Sequence, residues 1–491
     1  MAIRKSTSWR TARVSKKLWS TFRTNYHLGF TAFGGPPVHF KILREKFVVK
    51  LGWIDEQIYQ ELFSVCQAFS GPGSTKMHYC INLIHDGFLS ALLGFFIWSL
   101  PGALGMYGLS RRISNVGDSL PGPVYALLSG LNASTVALCA VRCQLSEASL
   151  ILDRMMSRRS AAGSLHACGI SLLMLCSVVT VCMTFAGFIP RQRCAGTGQE
   201  SRKKSRAPEN ESIELPETQR DDRSSAVSRE HEAPPNRNDA VDTLPITENQ
   251  RSEAETEPRV VPTERVLDFS WAIGLAIIVF FLITFTVVMV LRGVLPTKPL
   301  LYSFFANMYL AGTIIFGGGP VVIPLLREYV VAEGWVSPRD FLIGLAIQQS
   351  FPGPNFNFAV YLGALTAING GYSSAAGAVL GYIGIFAPGL ITVHGTMGIW
   401  SAIRGLRWVK SLLRGVNAGA VGLIYTAVYR LWQIGYIDQD FQQGTSLAQE
   451  PWWVVVTASS FVFGYSFSVN PPVVIVMGAV LGLTWYGVVT A

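Results

Sequence analysis

The sequence predicts an all-α membrane protein built from two homologous halves. Half of its 491 residues are hydrophobic and only 14% are charged, well below the roughly 25% of an average soluble domain. The runs 272–290 and 472–486 contain no charged residue. A bilayer core of about 30 Å needs about 20 apolar helical residues, and several segments approach that length, so the lipid bilayer is a predicted partner and about 10–13 membrane segments are expected.

The surplus of positive charge lies where a membrane protein meets the cytoplasm. The chain has 40 Lys and Arg against 31 Asp and Glu, and residues 1–23 hold seven of the basic residues and no acidic one. A basic flank before the first apolar segment is typical of a cytoplasmic N-terminus, so residues 1–25 are predicted to form a basic cytoplasmic tail. The predicted location of the protein is the plasma membrane. The same composition is typical of a mitochondrial transit peptide, which leaves a mitochondrial or other organelle membrane as the alternative. This placement of charge argues against nucleic acid as a partner.

Residues 191–265 differ in composition from the rest of the chain. They are rich in Pro, Ser, Glu, Arg, Asn and Thr and contain no aromatic residue. Such a segment buries too little apolar surface to offset its ordering entropy, so we expect a disordered linker that is open to a kinase. It separates an N-terminal half at 26–190 from a connecting transmembrane helix at 266–298 and a C-terminal half at 299–491. A homodimer is a further expectation.

The two halves repeat the same landmarks in the same order. The stretch FGGPPVHFKILRE begins at Phe33, and FGGGPVVIPLLRE begins at Phe316. The stretch QAFSGPG begins at Gln67, and QSFPGPN begins at Gln349. A Pro-Gly pair and a Gly-x-Asn-Ala motif follow in each half, at Pro101-Gly102 with Gly130–Ala133 and at Pro388-Gly389 with Gly415–Ala418. A shared order of this kind indicates an internal duplication.

Each half is predicted to contain two apolar segments broken by Gly and Pro, followed by unbroken helices. The broken segments are 26–40 and 58–85 in the first half, and 302–326 and 340–369 in the second. The unbroken helices are expected at 87–109, 122–143, 165–189, 267–292, 373–400, 411–432, 452–468 and 472–488. Segment 26–40 has basic residues on both sides and is predicted to dip into the membrane and return, whereas the matching flank in the second half is less basic. This asymmetry favours inverted-topology repeats.

The broken segments point to an anion-binding site. Each break frees N–H groups at the start of a new helix, where the aligned peptide dipoles add about half a positive charge. Non-helical backbone at membrane depth is tolerated only inside protein or beside a wet cavity, so four helix ends are expected to converge on one site. The predicted substrate-binding residues are Phe33, Gly34, Gly35, Pro36, Gln67, Gly71, Pro72, Gly73, Lys76, Phe316, Gly317, Gly318, Gly319, Pro320, Gln349, Pro352, Gly353, Pro354 and Asn355. For the two Pro-Gly pairs, close helix packing is the favoured interpretation.

Several polar residues near the breaks have two open interpretations. Lys76 either neutralises the anion or extends to a membrane interface. The gating or coupling candidates are Arg44, Glu45, Arg327, Glu328, Asn132 and Asn417. The two Arg-Glu pairs either guard the mouths of the site or form interfacial ion pairs. The two asparagines are expected to bridge helices rather than contact substrate.

Other functional classes find little support in the sequence. There is no HExxH, GxSxG or Walker motif, so no enzymatic activity is expected. The eight cysteines lie within the first 194 residues of the sequence without a CxxC motif or a Cys/His cluster, so no metal and no cofactor are expected.

The paired motifs FGGPPVHF and FGGGPVVIP, each followed by a Q-x-F-x-G-P element, resemble the chromate ion transporter family in its long, two-domain form. The resemblance covers residues 20–190 and 267–490 and implies transmembrane movement of chromate, a tetrahedral dianion shaped like sulfate. The long charged linker departs from the compact bacterial pattern and indicates a eukaryotic, fungal member. The first copy reads SGPG where the second reads PGPN, so the two half-sites need not be equivalent.

The membrane potential constrains the direction of such a transporter. Moving two negative charges across 100 mV, inside negative, is worth roughly 4.6 kcal/mol outward. A simple uniporter would therefore expel the dianion, whereas uptake needs coupled protons or exchange. The expected function is chromate efflux or exchange. The alternative is a sulfate or other oxyanion transporter that takes up chromate as a mimic with proton coupling, for which His39, His78, His85 and Asp86 are candidates. A chloride channel is a further rival.

Overall fold

The computed structural model describes residues 2–115, 120–158, 271–295, 298–316, 318–348, 351–404, 406–438 and 440–489. The predicted linker at 191–265 and the helix predicted at 165–189 lie outside the described residues. Within these ranges the regular structure is helical, apart from an isolated β-bridge between Tyr436 and Thr445. The all-α fold class is confirmed.

Seven described helices form the first half. They are α1 (Ala2–Asn25), α2 (Leu28–Thr31), α3 (Pro36–Arg44), α4 (Glu56–Ala68), α5 (Gly73–Asp86), α6 (Phe88–Ile113) and α7 (Gly122–Arg158). The broken segment predicted at 26–40 consists of α2 and α3 with a break between them, and the one predicted at 58–85 consists of α4 and α5 with a break between them. Both breaks fall at the Gly-Pro elements, because proline lacks the N–H that an interior helical position must donate.

Nine described helices follow the linker. They are α8 (Trp271–Val294), α9 (Leu300–Ile314), α10 (Gly319–Leu326), α11 (Pro338–Gln348), α12 (Phe358–Asn369), α13 (Ser374–Ile403), α14 (Arg407–Trp432), α15 (Pro451–Tyr465) and α16 (Pro471–Val489). A 3-10 turn at Asn355–Asn357 leads into α12. The order from α9 to α14 repeats the order from α2 to α7, so the fold consists of two homologous halves.

The repeat extends to an unusual local feature. In both halves the helix after the first break continues into a π-helix, Glu45–Lys50 in the first and Arg327–Val331 in the second. A tryptophan then closes the turn in the same way. The Trp53 amide donates to the Phe47 carbonyl at 2.8 Å, and the Trp335 amide donates to the Val330 carbonyl at 3.1 Å.

Five described helices are long and apolar enough to cross a membrane. They are Phe88–Ile113, Gly122–Val141 within α7, Trp271–Val294, Ser374–Trp400 within α13, and Pro471–Val489. In α8 only 11% of the most apolar window is buried against protein, so its side chains are available to lipid. α9 is shorter but also apolar. The protein is polytopic, as the sequence predicts.

The end of α1 belongs to the packed core. Thr21 and Asn25 are completely buried, although the sequence places both in the cytoplasmic tail. The Asn25 amide group donates to Asn82 Oδ1 on α5 at 3.0 Å. The N-terminal half therefore includes residues upstream of the boundary predicted at residue 26.

The Pro-Gly pairs allow helices of one half to pack closely on the breaks of the other. A Cβ added to Gly102 would lie 2.5 Å from the Pro352 carbonyl oxygen, and one added to Gly389 would lie 3.2 Å from the Ser70 carbonyl oxygen. A side chain at Gly102 would require neighbouring atoms to move, and one at Gly389 would be tightly packed. This contact accords with the packing interpretation of the two Pro-Gly pairs.

Candidate functional site

The first break of each half contains a glycine with a positive φ, a backbone conformation that only glycine adopts easily. Gly35 precedes α3 with φ 73°, and Gly318 precedes α10 with φ 86°. These values lie in the left-handed region, where a Cβ would clash with the backbone. The chain therefore reverses at each glycine and starts a new helix with the next residue.

The second breaks use the same conformation. Gly71 has φ 95° and Gly353 has φ 90°. The prolines that follow, Pro72 and Pro354, have extended backbone and precede the helical turns that begin at Gly73 and Asn355. Each half thus supplies two helix starts, as the sequence predicts.

The breaks of the two halves are hydrogen-bonded to each other. The Gly71 amide donates to the Ile315 carbonyl at 2.8 Å, and the Gly353 amide donates to the Ala32 carbonyl at 2.9 Å. These two bonds join equivalent positions of the repeat in reciprocal fashion. The second break of each half is thereby fixed against the first break of the other.

A small cavity lies where the four helix starts meet. It is lined by Pro36, His39, Pro72, Gly73, Ser74, Gly318, Gly319, Pro354, Asn355 and Phe356. Its volume is about 10 Å³, about the room that one water molecule requires. Seven of the lining residues are predicted substrate-binding residues, so the structure brings together residues from all four predicted breaks.

The helix starts around the cavity differ in the donors they supply. In α5 the first intrahelical bond runs from the Lys76 amide to the Pro72 carbonyl, which leaves the amides of Gly73, Ser74 and Thr75 ahead of the helical ladder. The start of α3 supplies fewer amides because Pro36 and Pro37 have no N–H. The four helix starts are therefore not equivalent as amide donors.

The first half compensates with a polar pair on the cavity wall. His39 Nδ1 lies 3.1 Å from Ser74 Oγ, and His39 Nε2 lies 3.1 Å from the Ala32 carbonyl oxygen. His39 is completely buried and Ser74 is 2% exposed. The Trp98 ring contacts the His39 ring edge to face at 5.0 Å. These contacts hold the imidazole in one orientation beside the cavity.

The second half has no counterpart to this pair. Val322 occupies the position equivalent to His39, and Phe356 occupies the position equivalent to Ser74. The second half instead contributes Asn355 to the cavity wall. The site is therefore asymmetric, in line with the difference between SGPG and PGPN.

The Lys76 ammonium is directed to the end of a helix. Its side chain is completely buried, and Nζ donates to the carbonyls of Phe69 at 2.7 Å and Ser70 at 2.9 Å. These carbonyls follow the last residue of α4, where a cation is favourable to the helix dipole. Lys76 is not among the residues that line the cavity.

The remaining predicted substrate-binding residues support the breaks from outside the cavity. A Cβ on Gly34 would contact the Pro471 ring at 2.8 Å, and one on Gly73 would lie 3.4 Å from Gln67 Oε1. Gly317 and Gln349 lie outside the described residues. Those whose side chains or backbone are described but do not line the cavity are Phe33, Gly34, Gly35, Gln67, Gly71, Lys76, Phe316, Pro352 and Gly353, and the side chain of Pro320 is outside the described part of the structure.

The two Arg-Glu pairs do not form internal ion pairs in the described structure. Arg44 Nε lies 2.9 Å from Glu56, and Glu45 pairs with Lys50 at 2.9 Å. Arg327 donates to the Gln443 carbonyl at 2.9 Å. Arg44 and Glu45 therefore have ion-pair partners other than each other, whereas Arg327 is attracted electrostatically by the neighbouring Glu328. The gating and ion-pair interpretations of these residues stay predictions.

The Arg44–Glu56 pair is exposed. The side chains are 51% and 45% accessible. The hydrogen bond from Arg44 holds the pKa of the Glu56 carboxyl below its usual value of 4.5. The pair connects α3 to the start of α4 at the surface.

The two asparagines of the Gly-x-Asn-Ala motifs, Asn132 and Asn417, lie on α7 and α14. Asn132 Nδ2 donates to the Gly435 carbonyl at 3.1 Å, which links α7 to the segment after α14. The Oδ1 atoms of Asn132 and Asn417 have no hydrogen-bond partner among the described residues. The link made by Asn132 accords with the predicted bridging role.

A larger groove lies apart from the helix breaks. It has a volume of about 670 Å³ between α15 and α16 and is lined mainly by apolar side chains, among them Trp452, Phe463, Val473 and Met477. An apolar lining cannot replace the hydration of a dianion. The small cavity is therefore the better candidate for an anion site.

The match to a known family agrees with this geometry. A family model described as "Chromate transporter" matches residues 19–190 and 302–483, one segment in each half. The chain belongs to the chromate transporter family. The resemblance inferred from the paired motifs is confirmed, and the protein is a multi-pass membrane protein of a transporter family.

Three curated relatives of this transporter carry names that refer to chromate. It is 23% identical to the chromate transport protein of Pseudomonas aeruginosa over 417 residues, which is 83% of this chain and 79% of that protein. It is 34% identical to the chromate transport protein of Cupriavidus metallidurans over 125 residues, 24% of this chain and 29% of that protein. It is 27% identical to the probable chromate transport protein of Synechococcus elongatus over 122 residues, 24% of this chain and 30% of that protein. No solved structure matches the chain.

Three residues of the cavity wall are absent from the predicted substrate-binding set, although the sequence makes His39 a candidate for proton coupling. They are His39, Ser74 and Phe356. His39 lies inside the FGGPPVHF motif, one turn after the break, where a side chain returns toward the helix start. Ser74 and Phe356 each follow the second break by the same interval. The spacing from the breaks would have found all three.

Proposed function

We propose that this transporter moves chromate across the membrane and binds the dianion in the cavity at the four helix starts. The observation that carries the proposal is the convergence of both halves on one cavity, lined by Gly73, Ser74, Gly318, Gly319 and Asn355. Amides at helix starts and the helix dipoles favour an anion. The names of the relatives support chromate as the anion.

The cavity has to widen when the anion binds. A volume of about 10 Å³ holds about one water molecule, whereas chromate has five heavy atoms. Because the breaks of the two halves are joined by the Gly71–Ile315 and Gly353–Ala32 hydrogen bonds, movement of one half against the other would change the cavity directly. Alternating access between inverted repeats works through such relative movement.

Efflux or exchange is the proposed direction. An inside-negative potential of 100 mV drives a dianion outward by roughly 4.6 kcal/mol, which could hold a concentration ratio on the order of 10³. The basic N-terminal flank supports a plasma-membrane location with a cytoplasmic N-terminus. A tagged chain that colocalised with a mitochondrial marker would contradict that location. Homodimer formation and phosphorylation of the linker stay predictions.

The alternative is uptake of sulfate or another oxyanion with proton coupling. The presence of His39 in the cavity wall favours this alternative, since histidine is the side chain that titrates near neutral pH. Backbone amides also discriminate poorly between two tetrahedral dianions.

Chromate accumulation in cells tests the proposal. Cells that express the chain are compared with empty-vector cells at low and at high sulfate. Lower accumulation supports efflux, and higher accumulation supports the uptake alternative. Loss of the difference at high sulfate would place both anions in one site, and no difference under any condition would contradict chromate as the substrate.

A further inference from the structure

The His39 imidazole lies where a proton and an anion could share one site. Among the described residues that line the cavity, it is the one titratable side chain. Its two ring nitrogens have different partners, the Ala32 carbonyl for Nε2 and the Ser74 hydroxyl for Nδ1. The Ala32 carbonyl also accepts the Gly353 amide at 2.9 Å, so His39 is joined to the crossing of the two halves.

These partners determine the neutral tautomer of His39. A carbonyl oxygen only accepts hydrogen bonds, so Nε2 carries the hydrogen and donates it to Ala32. Nδ1 of the neutral ring is then an acceptor, and the Ser74 hydroxyl donates to it. In this state the hydroxyl hydrogen of Ser74 is engaged by the imidazole and is not available to an anion.

We propose that His39 binds a proton together with the transported anion and that Ser74 connects the two. Protonation at Nδ1 converts the imidazole into an imidazolium, which donates to Ser74 Oγ. The hydroxyl hydrogen of Ser74 then turns from Nδ1 to an anion oxygen. One proton from the aqueous side thus adds a positive charge beside the cavity and one hydrogen-bond donor to it. The proposal rests on the proposed function of the same cavity as an anion site and favours the proton-coupled alternative over simple efflux.

Charged and titratable groups on the neighbouring elements affect how favourable protonation of His39 is. On α5, Lys76 lies two residues after Ser74 with its ammonium on backbone carbonyls, and the His78 ring stacks on the Trp98 ring with 5.1 Å between ring centroids. On α4, the Tyr59 hydroxyl donates to the Phe40 carbonyl. On the π-helix after α3, Lys46 contacts His27 at 3.1 Å. The described cavity wall contains no carboxylate, so the anion itself is the negative group that would stabilise the imidazolium.

Proton binding and anion binding are then linked. By thermodynamic reciprocity, protonation raises anion affinity by the factor by which the anion raises proton affinity. A dianion that moves with one proton carries half the net charge across the membrane. The second half cannot act in this way, because Val322 and Phe356 occupy the equivalent positions.

The test compares the pH profiles of chromate transport by the full chain in proteoliposomes. The wild type, His39→Gln, Ser74→Ala and Ser74→Thr are measured between about pH 5.5 and 8.5, a range that spans histidine titration. Chromate itself titrates, but equally for every variant, so the ratio of variant to wild-type KM isolates the protein. His27→Gln, which changes a histidine outside the cavity, is the matched control.

We expect the KM of His39→Gln to be about tenfold above wild type at the acidic end, within the usual range of linked binding, and to approach wild type at the alkaline end. Ser74→Ala should behave similarly, whereas Ser74→Thr and His27→Gln should follow the wild type. If His39→Gln does not reach the membrane, the difference between Ser74→Ala and Ser74→Thr decides. A ratio that stays constant across the range overturns the assignment of His39.

Binding of radiolabelled sulfate to the purified protein tests the role of His39 independently of whether chromate is the transported anion. Sulfate stays a dianion throughout the range. Sulfate affinity that depends on pH in the wild type but not in His39→Gln supports the His39 assignment, even when chromate is not transported. In that case the proposed substrate is overturned and the proton-binding residue is retained.

Discussion

The Gly71 amide donates a hydrogen bond of 2.8 Å to the carbonyl of Ile315, in the other half of the chain. Its counterpart joins Gly353 to Ala32 at 2.9 Å. A buried backbone group needs a partner, and here the Gly71 and Gly353 amides each obtain one from the opposite half. The duplicated motif is therefore explained by geometry, since each copy supplies a partner to the break of the other.

Gly71→Ala should reduce transport more than Gly87→Ala, which introduces similar backbone strain at a position outside the contact between the halves. A Cβ on Gly71 would lie 3.0 Å from Gly389 Cα, whereas Gly87, with φ 93°, has open space around it. Each substitution stores about 1–3 kcal/mol of strain, so both should lower the melting temperature. Only Gly71→Ala should also lower chromate flux in proteoliposomes. Equal losses of flux would show that contact between the halves is not required.

Lys76→Met should affect stability rather than affinity. Removal of the ammonium leaves the carbonyls of Phe69 and Ser70 without their donor, at a cost of about 1–3 kcal/mol for a buried group. We expect a lower melting temperature in detergent and a chromate KM within about twofold of wild type, well below the effect of losing a bound charge. Lys50→Met, at an exposed pair with Glu45, is the control. A large rise in KM with unchanged stability would instead place the ammonium on the anion, as the sequence predicts.

Equivalent positions in the two halves should be protected by one anion. Ser74 and Phe356 both line the cavity, so Ser74→Cys and Phe356→Cys are prepared in a chain without its eight native cysteines. Molybdate is the protecting anion, because it is a tetrahedral dianion that does not oxidise thiols. It should slow modification of both positions by a methanethiosulfonate reagent and leave Val49→Cys, which is 64% exposed, unaffected. Protection at one position alone would argue against a shared site.

Glu56→Gln should change little at neutral pH. The Glu56 pKa is lowered by the hydrogen bond from Arg44, so its contribution to stability is present above the usual value of 4.5 and is lost as the pH falls through the lower, folded value. Because the pair is exposed, that contribution is small. Melting temperatures of variant and wild type should converge as the pH falls below the lowered pKa of Glu56, and chromate flux should be equal at pH 7. A loss of flux in Glu56→Gln would support a gating role for Arg44.

The architecture was largely predictable from the sequence because glycine and proline have fixed backbone consequences. The four breaks fall at Gly35, Gly71, Gly318 and Gly353, where the Gly-Pro elements predict them. The apolar runs likewise predict α8 and α16. The close crossing of the halves was not predictable, since it depends on which carbonyl each freed amide meets.

Side-chain roles were harder to predict because they depend on direction. Lys76 follows the second break and invites an anion contact, yet its side chain reaches back to the end of α4. Arg44 precedes Glu45 in sequence but reaches Glu56 across a turn. His39 is on the cavity wall because it lies one turn after the start of α3. Its position could be inferred only once the start of that helix was known.

Chromate flux through the purified protein tests the central claim most directly. Proteoliposomes are loaded with chromate under an imposed membrane potential, and the wild type is compared with Gly318→Leu, Gly35→Leu and Gly334→Leu. Gly318 lines the cavity, whereas Gly334 has a similar φ of 75° in open space. We predict that Gly318→Leu and Gly35→Leu abolish flux while the wild type and Gly334→Leu retain it. Wild-type flux in both Gly318→Leu and Gly35→Leu would contradict a shared anion site at the helix starts.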